Sequence, residues 1–338
     1  MKDKPKILFR ADGNLIMGLG HLYRLFALYE IFEKNYDCIF VTKEDSALNT
    51  IPKQFSLTIV PRDVKIIDEI NWLIEKFGHN FIVIIDGYQF TSSYQMQIKE
   101  KGLKLIYIDD LAKEYMYADI VINHSPSTKQ SDYESAEYTK FALGTNYAIL
   151  RSIFLKAVKE TRIINQIDTA FVCFGGSDIN NLTLISVKAL LFFENFKTIN
   201  VVMGASNKNT EIFTLQSENP QIKIYRNLSE QGLASVMQES NFAIVPASTI
   251  LYELCTIKMP ILSGYYVDNQ KSIYYGLLNK KAISGIGNFN SLKIDDLIRN
   301  IGVVLKNNNV SNQLINQRKL FDGKIKNRFL KLIETLWN

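Results

Sequence analysis

The stretch Phe9-Arg10-Ala11-Asp12-Gly13-Asn14-Leu15-Ile16-Met17-Gly18-Leu19-Gly20-His21 decides how this chain is read. It joins the short apolar run Ile7-Leu8-Phe9 to a segment, 21–32, in which Leu22, Leu25, Leu28 and Ile31 recur at helical spacing. Strand, glycine-bearing polar turn and amphipathic helix form the opening unit of a parallel α/β sheet. Gly18 and Gly20 let the backbone turn sharply and approach a ligand, and the start of the helix favours negative charge. His21 stands at that edge, where imidazole can act as general acid or base near neutral pH or can cap the helix. The turn is not a dinucleotide fingerprint, because Leu22 and Tyr23 follow Gly18-x-Gly20 where a third glycine is required, and the Walker A pattern is absent.

Outward from this unit the alternation continues. Strand-like runs at 38–42, 57–60, 81–85, 103–108 and 118–122 are separated by helical patterns at 64–77 and 93–101. Between 125 and 147 the periodicity fades into Ser, Thr, Lys, Tyr and Gly, which reads as surface loop and linker. A second series follows, with strands expected at 169–174, 198–203, 222–225, 242–245 and 261–262 and helices at 182–196, 209–217, 229–239 and 249–256. One last helix is expected over 313–336. The fold class is therefore α/β, with two Rossmann-like parallel-sheet domains facing a central cleft: 1–150, 151–310, and a tail 311–338 packing across both lobes.

Size and composition agree. A chain of 338 residues suits two domains at roughly 100–200 residues each, and 47% hydrophobic with 22% charged residues is a globular balance. Lys+Arg 39 against Asp+Glu 34 gives +5, spread along the chain, which argues against a dedicated nucleic-acid protein and suits a small anionic substrate. Cys38, Cys173 and Cys255 lie far apart without zinc-ligand spacing, so buried free thiols in a reducing compartment are expected. The first residues lack the apolar core of a signal peptide, and no apolar run approaches the roughly 18–20 residues of a membrane span. The expectation is a cytoplasmic protein without a membrane partner.

Two further motifs carry chemistry. Gly175-Gly176-Ser177-Asp178 follows the first strand of the second series and could admit a diphosphate at the next helix. Val245-Pro246-Ala247-Ser248-Thr249-Ile250-Leu251-Tyr252-Glu253-Leu254 sets hydroxyls at a strand-to-helix junction and a carboxylate about one turn later. Ser248 suits a helix cap or a phosphate contact, and Glu253 suits a ribose. Asp109-Asp110 and Asp295-Asp296 read as turn or helix-start residues, and His79 and His124 as ordinary loop histidines.

Taken in order, Arg10-Ala11-Asp12 through Gly18-x-Gly20-His21-x-x-Arg24, Asp86-Gly87-Tyr88, Ile108-Asp109-Asp110, Gly175-Gly176-Ser177-Asp178, Ser248-Thr249-x-x-x-Glu253-Leu254 and Asp268-Asn269-Gln270 resemble the PseG family. These are UDP-sugar hydrolases of the pseudaminic acid pathway, of the GT-B fold and related to the peptidoglycan N-acetylglucosaminyltransferase. The resemblance implies release of UDP from UDP-2,4-diacetamido-2,4,6-trideoxy-β-L-altropyranose by water attack at the anomeric carbon with inversion. It implies His21 as catalytic base or water-positioning residue, with Asp12, Asn14, Gly20, Tyr88 and Asn269 around the sugar. Gly176, Ser177, Ser248, Thr249, Glu253 and Gln270 would hold UDP. No metal or cofactor is implied, since Asp-x-Asp is missing. The partner is the UDP-sugar alone, with a monomer expected. The alternatives are a GT-B glycosyltransferase, in which an acceptor hydroxyl replaces water, and a catalytically silent nucleotide-sugar-binding protein. Asn14, Ile16 and Ala247 depart from the family pattern, and the Ala247 methyl is expected to push back a close phosphate.

Overall fold

A computed structural model describes residues 6–14, 17–176, 178, 180–204, 207, 209–306 and 310–337. The chain divides into two compact units, one formed by 1–152 with 324–338 and the other by 153–323.

In the first unit, β1 (Lys6–Ala11), α1 (Gly20–Phe32), β2 (Asp37–Lys43), β3 (Leu57–Val60), α2 (Glu69–Phe77), β4 (Phe81–Asp86), α3 (Ser92–Glu100), β5 (Lys104–Ile108), β6 (Ile120–Asn123) and β7 (Lys140–Leu143) follow one another. The seven strands form a wholly parallel sheet in the order β3-β2-β1-β4-β5-β6-β7. Ile7, Leu8 and Phe9 of β1 and Ile82, Val83 and Ile85 of β4 are fully buried, because a parallel sheet is covered on both faces and needs apolar residues at successive positions. The stripe Leu22, Leu25 and Leu28 of α1 is equally buried. Truncating any one of these leucines to alanine costs about 2–5 kcal/mol.

The second unit runs α4 (Ser152–Ala157), β8 (Thr169–Val172), α5 (Leu182–Leu191), β9 (Thr198–Met203), α6 (Glu211–Glu218), β10 (Ile222–Arg226), α7 (Glu230–Glu239), β11 (Phe242–Pro246), α8 (Thr249–Ile257), β12 (Ile261–Tyr265), α9 (Lys271–Asn279), β13 (Ser284–Asn288), α10 (Ile294–Lys306) and α11 (Val310–Leu320). Its six strands are also all parallel, in the order β10-β9-β8-β11-β12-β13. In each sheet the strand order reverses beside the first strand, between β1 and β4 and between β8 and β11, and ligands of open parallel sheets bind at the carboxyl ends flanking such a reversal.

Three expectations are corrected. The segment 125–147 is no linker: it supplies β7, which pairs with β6 from Ile120↔Lys140 to Asn123↔Leu143. Strand β13 was not anticipated because Ser-Gly-Ile-Gly-Asn lacks the usual β-branched density. The single helix over 313–336 is two, α11 and α12 (Ile325–Trp337), separated where Gly323 takes φ +76°. Helix α11 packs on α8 in the second unit, and α12 packs on α1 and on the turn 145–147 in the first. Cys38, Cys173 and Cys255 are buried free thiols. No described helix is long and apolar enough to cross a membrane.

Candidate active site

At the end of β1 the chain reverses through glycines for two separate reasons. Gly18 holds φ +84°, and a Cβ on Gly13 would stand 2.8 Å from Leu22 Cγ of α1. Asn14 ties this turn internally, its Oδ1 accepting from Met17 N at 3.0 Å and its carbonyl from Gly18 N at 2.9 Å. Helix α1 then starts at the exposed Gly20, and no side chain caps it. His21 is its second residue and Arg24 lies three positions on, so both share one face.

That face meets the last residue of β4. Asp86, opposite Ala11 in the sheet register, has a side chain fully removed from solvent. Its Oδ1 lies 2.7 Å from His21 Nδ1, and Arg24 donates to it twice, Nε to Oδ2 at 2.7 Å and Nη2 to Oδ1 at 2.6 Å. A carboxylate can only accept, so the hydrogen of this contact sits on His21 Nδ1, and in the neutral tautomer that leaves the Nε2 lone pair for a water. Arg24 Nη1 reaches Asp110 Oδ1 at 2.5 Å, and Asp110 Oδ2 accepts from the Tyr88 hydroxyl at 3.3 Å. The Tyr88 ring, half exposed, meets His21 edge-on with centroids 4.9 Å apart. Burial works against both charges of the Arg24–Asp110 pair, but their attraction wins: Arg24 is held above its ordinary range and Asp110 is drawn down to about 2.

His124, expected as a loop histidine, lies in the loop just past the end of β6 and is buried there. Burial, reinforced by the Arg24 charge, lowers it to about 4, so it is neutral near pH 7. Asp109 does fill the turn role, its Oδ2 accepting from Leu111 N and Ala112 N. Its neighbour Asp110 belongs to the Arg24 cluster.

A second buried network supports the turn from below. Arg10, with no exposed surface, donates to Glu69 through Nε and Nη2 at 2.7 and 3.0 Å and to Asp12 through Nη1 and Nη2 at 2.5 and 2.9 Å. Asp12 also accepts from Lys43 N, Thr42 Oγ1, Ser46 Oγ and Gln89 Nε2. Burial would raise the Asp12 carboxyl, and Arg10 outweighs it, leaving it lowered. Gln89 was not foreseen. It packs over Gly87 (φ +150°), where a Cβ would stand 2.5 Å from Gln89 Oε1.

In the second unit, Gly175 (φ +78°) and the exposed Gly176 end the β8 strand connection, and a Cβ on Gly204 would collide with the Gly176 backbone. Ser177 lies outside the described residues. The start of α5 is already occupied: Asp178 Oδ1 accepts from Leu182 N at 2.8 Å and Oδ2 from Thr183 N at 2.9 Å. Helix α8 differs, because Ser248 stands at its N-cap without a side-chain cap bond and its first turn carries no acid. Ser248 and Thr249 are partly exposed, whereas Glu253 is buried at 2%. Ala247, between β11 and the Ser248 N-cap, is fully buried. Gln270 is buried, its Oε1 accepting from Tyr266 N at 3.0 Å, and Asn269 is exposed.

No family model matches the chain. It is 30% identical over 286 residues to UDP-2,4-diacetamido-2,4,6-trideoxy-β-L-altropyranose hydrolase of Campylobacter jejuni, an alignment that covers 81% of this chain and 97% of that protein. The chain belongs to the PseG hydrolase family. Spore coat polysaccharide biosynthesis protein SpsG of Bacillus subtilis is 24% identical over 267 residues, 77% of each chain. MurG of Acinetobacter baumannii superposes with a TM-score of 0.69 at 11% identity over 98% of this chain and 99% of that one, which shows that this PseG relative has the GT-B fold.

Of the residues foreseen, the structure brings His21 and Tyr88 together and places Asn14 and Gly20 on the adjoining turn. Asp86, Arg24 and Asp110 stood in the quoted motifs without a site role. The spacing His21-x-x-Arg24 on one helix was the signal that could have joined them.

Proposed function

We propose that this protein is an enzyme that hydrolyses UDP-2,4-diacetamido-2,4,6-trideoxy-β-L-altropyranose to UDP and the free diacetamido sugar. The observation that carries this reading is the His21–Asp86 pair at the carboxyl end of β4, together with membership of the PseG family. A water held by His21 Nε2 attacks the anomeric carbon from the face opposite UDP and gives its proton to the imidazole. The anomeric C–O bond breaks, its electron pair leaves on the diphosphate, and the configuration inverts. Asp86 holds the ring through Nδ1 and stabilises the imidazolium until the proton returns to solvent.

Tyr88 and Gly20 border the sugar beside His21, and Asn269 is assigned to the sugar as well. Asn14 and Asp12 act through the turn, since Asp12 already accepts from five groups: Arg10, Thr42, Lys43, Ser46 and Gln89. The UDP residues are Gly176, Ser177, Ser248, Thr249, Glu253 and Gln270. The open N-terminus of α8 is the better seat for the diphosphate, because the carboxylate of Asp178 occupies that of α5. We further take the protein to be a cytoplasmic monomer that binds no nucleic acid, in keeping with a charge of +5 spread along the chain.

The test is UDP release from this substrate by purified protein in EDTA without acceptor, with proton NMR recording the first anomer formed. Fast release with inversion is expected. Release only when an acceptor sugar or lipid is added would replace hydrolysis by transfer.

A further inference from the structure

His21, Asp86, Arg24, Asp110 and Tyr88 form a closed circuit of contacts. Asp86 holds the imidazole at 2.7 Å, Asp110 holds the phenol at 3.3 Å, and the two rings meet edge-on at 4.9 Å. One guanidinium closes the circuit, spending Nε and Nη2 on Asp86 and Nη1 on Asp110. Its side chain is 8% exposed, and those of Asp86 and Asp110 are 0% and 15% exposed, so these three charged groups are largely shielded from water. Arg24 Nη2 also lies 2.9 Å from His21 Nδ1. Two hydrogens of Arg24 thus share the carboxylate on which His21 depends.

We propose that Arg24 is a positioning residue that fixes the base and the sugar-facing tyrosine as one rigid unit and shares the Asp86 charge with His21. This rests on the reading of His21 as the base and Tyr88 as a sugar contact. Only a planar fork of donors can serve both carboxylates at once; a lysine ammonium at the same place is a single point charge on a flexible stem. The charged and titratable groups packed around His21 are Arg24 from α1, Asp86 and Tyr88 from the end of β4, Asp110 from the end of β5, and His124 from the end of β6. Because His124 is neutral near pH 7, Arg24 is the cation that offsets the two carboxylates there.

Three variants separate the two arms. Arg24→Lys should lower kcat by about 10–100-fold with a smaller change in KM, the scale of a base displaced by about 1 Å. Asp110→Asn weakens the hold on the Tyr88 hydroxyl and on Arg24 Nη1 but leaves both Arg24–Asp86 hydrogen bonds in place, so it should act more on KM than on kcat. Arg24→Ala should be partly rescued by millimolar guanidinium ion, and Arg24→Lys should not. The chain has only three histidines, so the His21 ring resonance can be followed by NMR without substrate. In Arg24→Met its titration midpoint should move to higher pH, because Asp86 then acts on the imidazole unshared. If Arg24→Met does not fold, Arg24→Lys carries the NMR test, with a smaller shift in the same direction. Folded Arg24 variants with wild-type kcat, wild-type KM and an unmoved His21 titration would overturn the proposal, as would a loss confined to melting temperature. A shifted His21 titration in a protein that releases no UDP would uphold the Arg24 arrangement and overturn only the hydrolase reading.

Discussion

The two units carry the same kind of sheet, each reversing its strand order beside its first strand, yet their carboxyl edges are built from different chemistry. The β1/β4 edge collects charges in two buried networks, Arg10 with Asp12 and Glu69, and Arg24 with Asp86 and Asp110, the second of which holds His21. The β8/β11 edge presents glycines, hydroxyls and helix N–H groups, and its Asp178 carboxylate is used to close α5. The fold supplies two equivalent places for ligands, and the proposed function gives proton transfer to the first and phosphate binding to the second. Neutral donors suit a diphosphate because they bind it without the desolvation of a cation, whereas a base needs a partnered, partly buried setting.

The largest effect that can break this contrast is expected at Glu69. Glu69→Ala leaves Arg10 buried with one partner fewer and should destabilise the protein by about 3–5 kcal/mol in urea melts. A loss under 1 kcal/mol would mean that the charge network is not what holds the β1 turn.

Next comes pH. His124 is lowered to about 4 from an ordinary 6.5, so the unfolded chain takes up the proton first. Stability should therefore fall by about 3 kcal/mol as pH drops from 6.5 towards 4, and be unaffected by this group above 6.5. His124→Asn should flatten that slope in melts across the same range; an unchanged slope would remove His124 from the buried neutral set.

Smaller again, Ser248→Ala with Thr249→Ala should weaken UDP binding by about 5–10-fold in calorimetry while leaving kcat nearly intact, the scale of one or two hydrogen bonds. A collapse of kcat with unchanged UDP affinity would reverse the division of labour. The smallest effect is Asp178→Ala, which removes a cap worth about 1 kcal/mol of stability. UDP affinity that rises in this variant would show that α5, once opened, also serves the diphosphate.

Much of this was legible in the sequence. The continuous apolar runs of β1, β4 and β11 and the i, i+3 leucines of α1 are local signals, and local signals predicted the parallel sheets. Strand β13 escaped because its two glycines answer needs that sequence does not show: a Cβ on Gly285 would strike the Tyr274 hydroxyl, and Gly287 takes φ +83°. In the site, His21 stood out because a polar, glycine-bearing turn precedes it. Asp86, Asp110 and His124 did not, since each is an ordinary strand-end residue until the sheet order sets β4, β5 and β6 side by side.

The claim that chemistry and binding are divided between the two edges is tested most directly in one variant, His21→Ala, by measuring kcat for UDP release and the calorimetric Kd for UDP on the same preparation. The account predicts a fall in kcat of roughly 10²–10⁴-fold with Kd within about twofold of wild type, as expected for loss of a proton transfer made only in the transition state. Retention of wild-type kcat, or a loss of UDP affinity that accounts for the whole defect, would contradict it.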